Sequence, residues 1–253
     1  MPTRPAAACC TPLLALLLGI AACRPSPAPT TSPATPARAS SSGAPAASET
    51  STEAAWEPVA DEDGVAVSSR PSDSSPLPVF RGVGVVEAPL LVVLAVITDA
   101  DRHDEWIFSC SDSALVAQTS ETTGVVYNRT ATPWPVPDRD VVLDSEVKVL
   151  DAEREVRVDF TATVHPQRPA EDGVVRMTYL VGHYHLWADG PQRTRVEYQV
   201  DSDPGGRLPT WLATRGTREM PLETLKGLRE QLVRTQGRYD ERVAEFRQTL
   251  LGH

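Results

Sequence analysis

Two stretches of this chain alternate so regularly that they fix its fold class. Val156, Val158, Phe160, Ala162 and Val164 are interleaved with Glu155, Arg157, Asp159, Thr161 and Thr163. Thr194, Val196, Tyr198 and Val200 are interleaved with Arg193, Arg195, Glu197 and Gln199. Strand side chains point to opposite faces in turn, so each stretch makes a strand with one dry and one wet side, whereas a helix would scatter the same apolar residues. Val141, Leu143, Ser145, Val147 and Val149 form a third dry face, and Val175, Met177, Tyr179 and Val181 a fourth. Turn signals at Asp172-Gly173, Asp189-Gly190 and Asp203-Pro204-Gly205-Gly206 separate the runs. Several strands joined by short turns imply an antiparallel sheet with one solvated face.

Helical patterns supply the other layer. Leu90 to Ile97 is a continuous apolar run opened by Pro89, which predicts a buried helix. Asp99 to Trp106 predicts a short second helix. A long C-terminal helix starts at Pro209 and is kinked or restarted at Pro221, which has no amide hydrogen to donate. Its apolar stripe runs through Leu222, Leu225, Leu228 and Leu232 and on to Tyr239, Val243, Phe246 and Leu250. The architecture is therefore α+β, with a bent antiparallel sheet and a long terminal helix sharing one core. Either the sheet packs flat on that helix, or it curls round it and leaves a cavity.

Upstream of residue 56 the texture is different. Arg4 precedes a short apolar run from Leu13 to Ile20, well below the roughly 20 residues needed to span a bilayer, so it reads as a signal peptide. The run ends in Ile20-Ala21-Ala22-Cys23, which resembles the bacterial lipoprotein processing box; the alternative is an ordinary signal peptide with a chance cysteine after its cleavage site. Residues 24–55 are rich in Pro, Ala, Ser and Thr, hold six of the 23 prolines, and have almost no large apolar side chain. Such a segment cannot bury enough surface to fold, and it would reach about 30 Å as a coil or about 100 Å as extended polyproline. The expected organisation is a lipoprotein signal peptide over 1–22, a lipid-modified Cys23 with its tether over 23–55, and one folded domain over 56–253.

Charge and cysteine content narrow the partners. The net charge is −10 with no basic run, which argues against nucleic acid and against charge-driven attachment to anionic lipid. Membrane contact then falls to an acyl group such as palmitate on Cys23. Of the four cysteines, Cys9 and Cys10 leave with the signal peptide and Cys23 is acylated, so Cys110 remains without an internal disulfide partner. Beside Trp106-Ile107-Phe108 it reads as buried filler rather than a reactive thiol.

An ordered set of short motifs resembles the StAR-related lipid-transfer (START) family. The set begins with Trp56, Asp63-Gly64-Val65-Ala66-Val67, Phe80-Arg81-Gly82, and Asp99 with Glu105-Trp106. It continues with Pro133-Trp134-Pro135-Val136, Arg139-Asp140-Val141-Val142 and Gly173-Val174-Val175-Arg176. It ends with Thr194-Arg195-Val196, Asp203-Pro204-Gly205-Gly206, Leu208-Pro209 and Trp211-Leu212, and so covers nearly all of 56–253. The resemblance implies a helix-grip fold of the START and Bet v 1-like kind, a curved antiparallel sheet around a long C-terminal helix. It implies one hydrophobic ligand, a sterol, hopanoid or phospholipid, in the cavity between, and no cofactor.

The same resemblance assigns positions. Val141, Leu143 and Ser145 would face the ligand, as would Phe160 and Tyr198 from the dry faces and Met177 and Tyr179 from the strand after Arg176. Trp106 and Tyr127 complete the candidate wall. Pro133–Asp138 matches the family's gating loop, with Trp134 at its tip, and Leu208, Leu212, Leu225 and Leu228 would form a floor or lid on the terminal helix. Sterol-binding members often bury an Arg/Glu pair whose Arg lies six residues after the Arg of the Arg-Asp motif; here that position is Ser145, so no cationic anchor for a phosphate is expected.

Other chemistry is thin. His183 and His185 share one strand face but lack a third metal ligand in the sequence. Asp99, Asp101, Asp104 and Glu105 lack the central glycine and terminal glutamate of a calcium loop and fit a charged helix start. No nucleophile-elbow, zinc-protease or phosphate-loop motif is present, so an enzyme is not expected. A lipid sensor reporting to an unknown protein partner is the first alternative to a carrier, and an enzyme using the helix-grip cavity the second. The expected location is the bacterial cell envelope, facing the periplasm. The outer membrane is favoured over the inner because Arg24, not aspartate, follows Cys23.

Overall fold

The computed structural model describes residues 55–250, residue 153 excepted. Cys23, the signal segment and all but the last tether residue lie outside the described residues. A single ten-stranded sheet dominates. Its strands are β1 (Glu57–Glu62), β2 (Val65–Arg70), β3 (Val79–Val86), β4 (Cys110–Gln118), β5 (Thr123–Thr130), β6 (Arg139–Asp151), β7 (Glu155–Thr163), β8 (Val175–Arg176), β9 (Tyr179–Ala188) and β10 (Thr194–Asp203). The helices are α1 (Leu90–Ile97), α2 (Thr210–Arg234) and α3 (Asp240–Thr249), with a 3-10 turn over Ala100–Glu105.

The strand order is β1-β2-β3-β10-β9-β7-β6-β5-β4, antiparallel at every step, and β8 alone adds in parallel beside the start of β6. After β3 the chain crosses through α1 and the 3-10 turn to the far edge, then returns strand by strand until β10 closes against β3. The alternating runs are strands with the expected faces. Val156, Val158 and Phe160 are buried, as are Thr194, Val196, Tyr198 and Val200. The dry row of β7 ends sooner than its alternation, because Val164 lies past the strand end and is 83% exposed.

The fourth run differs from expectation. It is broken between β8 and β9, and the break resets the alternation, so Leu180, Gly182, Tyr184 and Leu186 face inward opposite Ser202, Val200, Tyr198 and Val196. Tyr179 and Val181 therefore lie on the outer face.

α1 is apolar on every side because it is enclosed on every side; only Val92 and the capping Pro89 and Thr98 are less than fully buried. It touches α2, α3 and β9. Pro209 caps α2 rather than entering it, and α2 runs unbroken through Pro221. The stripe expected to be one helix is two, because Gly237 takes a left-handed φ of 78° and the chain restarts as α3. α2 approaches the 3-10 turn at Gly227, where a Cβ would meet the Trp106 carbonyl oxygen at 2.2 Å, so any side chain there forces the two apart.

Candidate functional site

The inner face of the sheet is only partly filled by α1 and α2. The inward rows of β5, β6, β7, β9 and β10 enclose a chamber of about 100 Å³. A second space of about 380 Å³ lies between residues 130–133, Arg139 and the first turns of α2. Phe108, Thr130, Met177, Ser202 and Met220 wall both spaces, so the second is a vestibule and these five form the neck.

Alternation explains the walls. Val126, Asn128 and Thr130 come from β5, Val141, Leu143 and Ser145 from β6, and Val158 and Phe160 from β7. Opposite them Tyr184 and Tyr198 stack with ring centroids 4.6 Å apart, and Phe160 lies 5.8 Å from Tyr184. The Phe160 ring reaches that place because β9 carries glycine beside it: a Cβ on Gly182 would stand 2.5 Å from Phe160 and 2.4 Å from the Gln199 carbonyl oxygen. Burial pushes both tyrosine hydroxyls well above their ordinary pKa, so the chamber carries neutral phenols. Tyr198 donates to the Met220 sulfur at 3.6 Å, a weak link between sheet and α2. Cys110, expected as buried filler, is half-exposed on the chamber wall, and burial raises its thiol to about 11, which keeps it protonated.

His103 closes the chamber beneath α1. It is 7% exposed, its Nε2 donates to the Ile97 carbonyl at 2.9 Å, and its Nδ1 lies 3.2 Å from Asn128 Oδ1. Burial holds it below its ordinary value of 6.5, against the opposing pull of these bonds and of Asp99 and Asp101. The unfolded chain thus takes up this proton near pH 6.5 while the folded chain does not, so folding is fully favoured above that pH and weakens as pH falls through it. His103→Gln is expected to flatten the decline of Tm between about pH 6.5 and 5. Glu105, Glu197 and Asp159 also sit below their ordinary values, so their losses fall in a separate, more acidic window. An unchanged slope in the variant would remove His103 from this account.

Eight candidate residues stand where the cavity is, and a ninth lies on the loop beside it. Val141, Leu143, Ser145, Phe160, Met177 and Tyr198 wall the chamber, and Leu208 and Leu212 wall the vestibule. Trp134 stands at the loop tip, 92% exposed and outside both spaces. The other five are elsewhere. Trp106 is buried behind Tyr184 and His103. Tyr127 has the wrong parity: it faces the outer side of β5 with Val125 and Val142, under the Arg168 guanidinium at 4.4 Å. Tyr179 donates to Asp201 on the outer face at 2.9 Å. Leu225 and Leu228 are core, sealed in the second half of α2.

Sequence reading missed Tyr184, Leu180 and Arg139. The break before β9 hid the first two, but Arg139 shares the parity of Val141 and Leu143 and was available from alternation alone.

The outer face carries a cluster of its own. The β9–β10 register sets Glu197 opposite His185, giving His183 and His185 the third group that the sequence did not show. Arg157 Nη2 already lies 3.3 Å from His183 Nδ1, and each histidine is bonded to a carboxylate, His183 to Glu197 at 3.2 Å and His185 to Glu155 at 2.7 Å. A guanidinium at that distance opposes a metal cation, and the cluster reads as a hydrogen-bonded network. The acidic run at 99–105 is likewise engaged: Asp99 accepts from Tyr239, Asp101 from the Leu115 amide and Glu105 from Gln231. None of the described helices is long and apolar enough to cross a membrane.

Comparison with known proteins agrees with this arrangement. The family model of the START domain matches residues 46–236. An uncharacterised protein of Pseudomonas aeruginosa is 35% identical over 177 residues, 69% of this chain and 85% of its own. The phosphatidylcholine transfer protein of Bos taurus is 28% identical over 162 residues, 63% of this chain and 75% of its own. Among solved structures, a fragment of the StAR-related lipid transfer protein of Xanthomonas axonopodis superposes with a TM-score of 0.64 at 31% identity, covering 70% of this chain and 98% of that one. α3 lies beyond the matched residues. With a curved antiparallel sheet, a long helix across its inner face and a chamber between them, the chain belongs to the START domain family.

Proposed function

We propose that the chain is a membrane-tethered carrier that holds one amphipathic lipid, a sterol, hopanoid or phospholipid, inside the sheet. The observation that supports this best is the apolar chamber with a vestibule walled by the 130–133 segment and the start of α2. Each methylene withdrawn from water into such a wall is worth about 0.8 kcal/mol, which makes an enclosed acyl chain or ring system stable across an aqueous gap. The likeness to a phosphatidylcholine transfer protein supports the same reading. The chamber as it stands is smaller than the roughly 300–1,000 Å³ of pockets for drug-sized ligands, so loading requires the start of α2 to move outward. The exposed Trp134 belongs to the approach to the bilayer, where an amphipathic ring sits at headgroup level.

The test is a vesicle-to-vesicle transfer assay with the lipid that co-purifies. Transfer well above the spontaneous rate is expected; transfer no faster than spontaneous exchange would leave a binding protein that is not a carrier, and recovery of a chemically altered lipid would point to catalysis.

The tether is part of the proposal. A lipid on Cys23 would hold the domain within about 30–100 Å of its membrane, facing the periplasm, and in preference on the outer membrane. Cys23→Ala is expected to move the protein from the membrane fraction to the soluble periplasmic fraction, with loss of palmitate labelling. Retention of the variant in the membrane fraction would refute acylation at this position.

A further inference from the structure

The vestibule contains a buried cation that no carboxylate holds by a hydrogen bond. Arg139 is 3% exposed and walls the vestibule. One of its groups, Nη1, donates to the Pro137 carbonyl, while Nε and Nη2 are buried without a hydrogen-bond partner. The neighbouring carboxylates are committed elsewhere. Asp138 accepts from Arg129 at 2.9 Å, Asp140 from Arg176 at 2.8 Å, and Glu219 across the vestibule from Arg215 at 2.9 Å. A buried charge lacking a partner is among the least favourable features a fold can hold, and Nε with Nη2 is the edge of guanidinium that engages two oxygens of one anion.

We infer that Arg139 anchors an oxyanion, a phosphate or carboxylate, on the head of the ligand. The inference rests on the carrier reading above and narrows its ligand class. Arg139 heads the inward row of β6, followed by Val141, Leu143 and Ser145. Charge therefore stands at the entrance and apolar surface behind it, the polarity of an acidic amphiphile entered tail first. Thr130, paired with Arg139 across β5 and β6, stands beside the same space. Ser145 occupies the cationic position expected from family resemblance, so the anchor stands six residues earlier on the same strand.

The full chain, as wild type, Arg139→Met and Arg139→Lys, is titrated with pyrene-labelled phosphatidylglycerol and with pyrene-labelled diacylglycerol of the same chains, both delivered from cyclodextrin. Arg139→Met is expected to weaken phosphatidylglycerol binding by about tenfold or more and to leave diacylglycerol within about twofold. Arg139→Lys, which keeps the charge and loses the fork, should fall between. The Tm of the empty Arg139→Met protein should be unchanged or higher, because an unpaired buried charge has been removed. A fall in Tm with equal loss of both probes would make Arg139 structural and overturn the inference. Equal binding of both probes by wild type and variant would overturn it while leaving the carrier reading intact. Uptake of neither probe by the wild type would overturn both. If inorganic phosphate alone stabilises the wild type, Arg139→Met abolishes that effect, and neither probe binds, the ligand is a free anion and the lipid-head assignment fails.

Discussion

Arg176→Met is expected to destabilise the protein by about 3–5 kcal/mol, a fall in Tm of roughly 6–20 °C for a domain of this size. Asp140 is 1% exposed and held by two parallel bonds, Arg176 Nε to Oδ1 at 2.8 Å and Nη2 to Oδ2 at 2.9 Å. Removing the guanidinium leaves a carboxylate buried in the sheet with its partner gone, the circumstance in which breaking an ion pair is most damaging. Two further bonds go with it. Arg176 also donates to the carbonyls of Arg168 at 3.0 Å and Pro169 at 3.1 Å, and so holds residues 168–169 against the outer face above Tyr127. Adding Asp140→Leu to Arg176→Met should recover much of the loss, because the stranded charge is then absent as well. Thermal unfolding of the two single variants and the double variant measures this directly. A shift of less than about 2 °C in Arg176→Met would mean that the pair does not hold the sheet.

Ser202→Phe should give the largest functional effect, closing the cavity while keeping the fold. Ser202 lies on the inward row of β10 opposite Leu180, at the neck where chamber and vestibule meet. A phenyl ring there would occupy the passage between Thr130 and Met220. Placed in existing empty space, it should cost at most the roughly 1–3 kcal/mol of a tight core insertion. The expected result is a near-complete loss of lipid uptake and transfer with far-UV circular dichroism unchanged. Full transfer by a folded variant would mean that ligand does not pass this neck. Arg176→Met makes a useful contrast, since its pair lies on the outer face: below its lowered Tm it should still take up lipid.

Both effects depend on which face of the sheet a side chain occupies, and that was unevenly legible from sequence. Wherever a strand was regular, alternation placed the residue correctly, as for Val141, Leu143, Phe160 and Tyr198. It failed at Tyr179, because the run from Val175 is not one strand: β8 pairs in parallel with β6, the chain shifts, and β9 resumes with the opposite phase. Nothing in the apolar pattern records such a shift, since Met177 before it and Leu180 after it both face inward. Tyr127 failed for another reason. The sheet has a second small cluster on its outer face with Val125 and Val142, so an aromatic residue there is buried without facing the cavity. The helical stripe showed which residues are apolar but not where the helix ends, and Gly237 divides it. It also could not separate Leu212 at the vestibule from Leu225 and Leu228 in the core, because all three are apolar helix residues and the sequence does not record what covers each. The unpartnered edge of Arg139 was beyond sequence reading, as it depends on where every neighbouring carboxylate is spent.

α2 is fastened to the body unevenly. Beyond Pro221, Leu222, Leu225 and Leu228 are buried, Thr224 accepts from the Phe108 amide, Gln231 and Arg234 reach Glu105, and Arg229 donates to three carbonyls of β3 and the β1–β2 turn. Before Pro221, Trp211 is 60% exposed, and the hydrogen bonds to the sheet side include those of Arg218 to Glu62 and of Tyr198 to Met220. Proline at the boundary removes one rung of the helix ladder where the two regimes meet. On the proposed loading route, opening of the first half would be a sub-global event with its own free energy, separate from unfolding of the domain. The lifetime of a bound ligand would then be set by local amide-opening rates before Pro221, so mutations could tune residence time without moving the melting temperature.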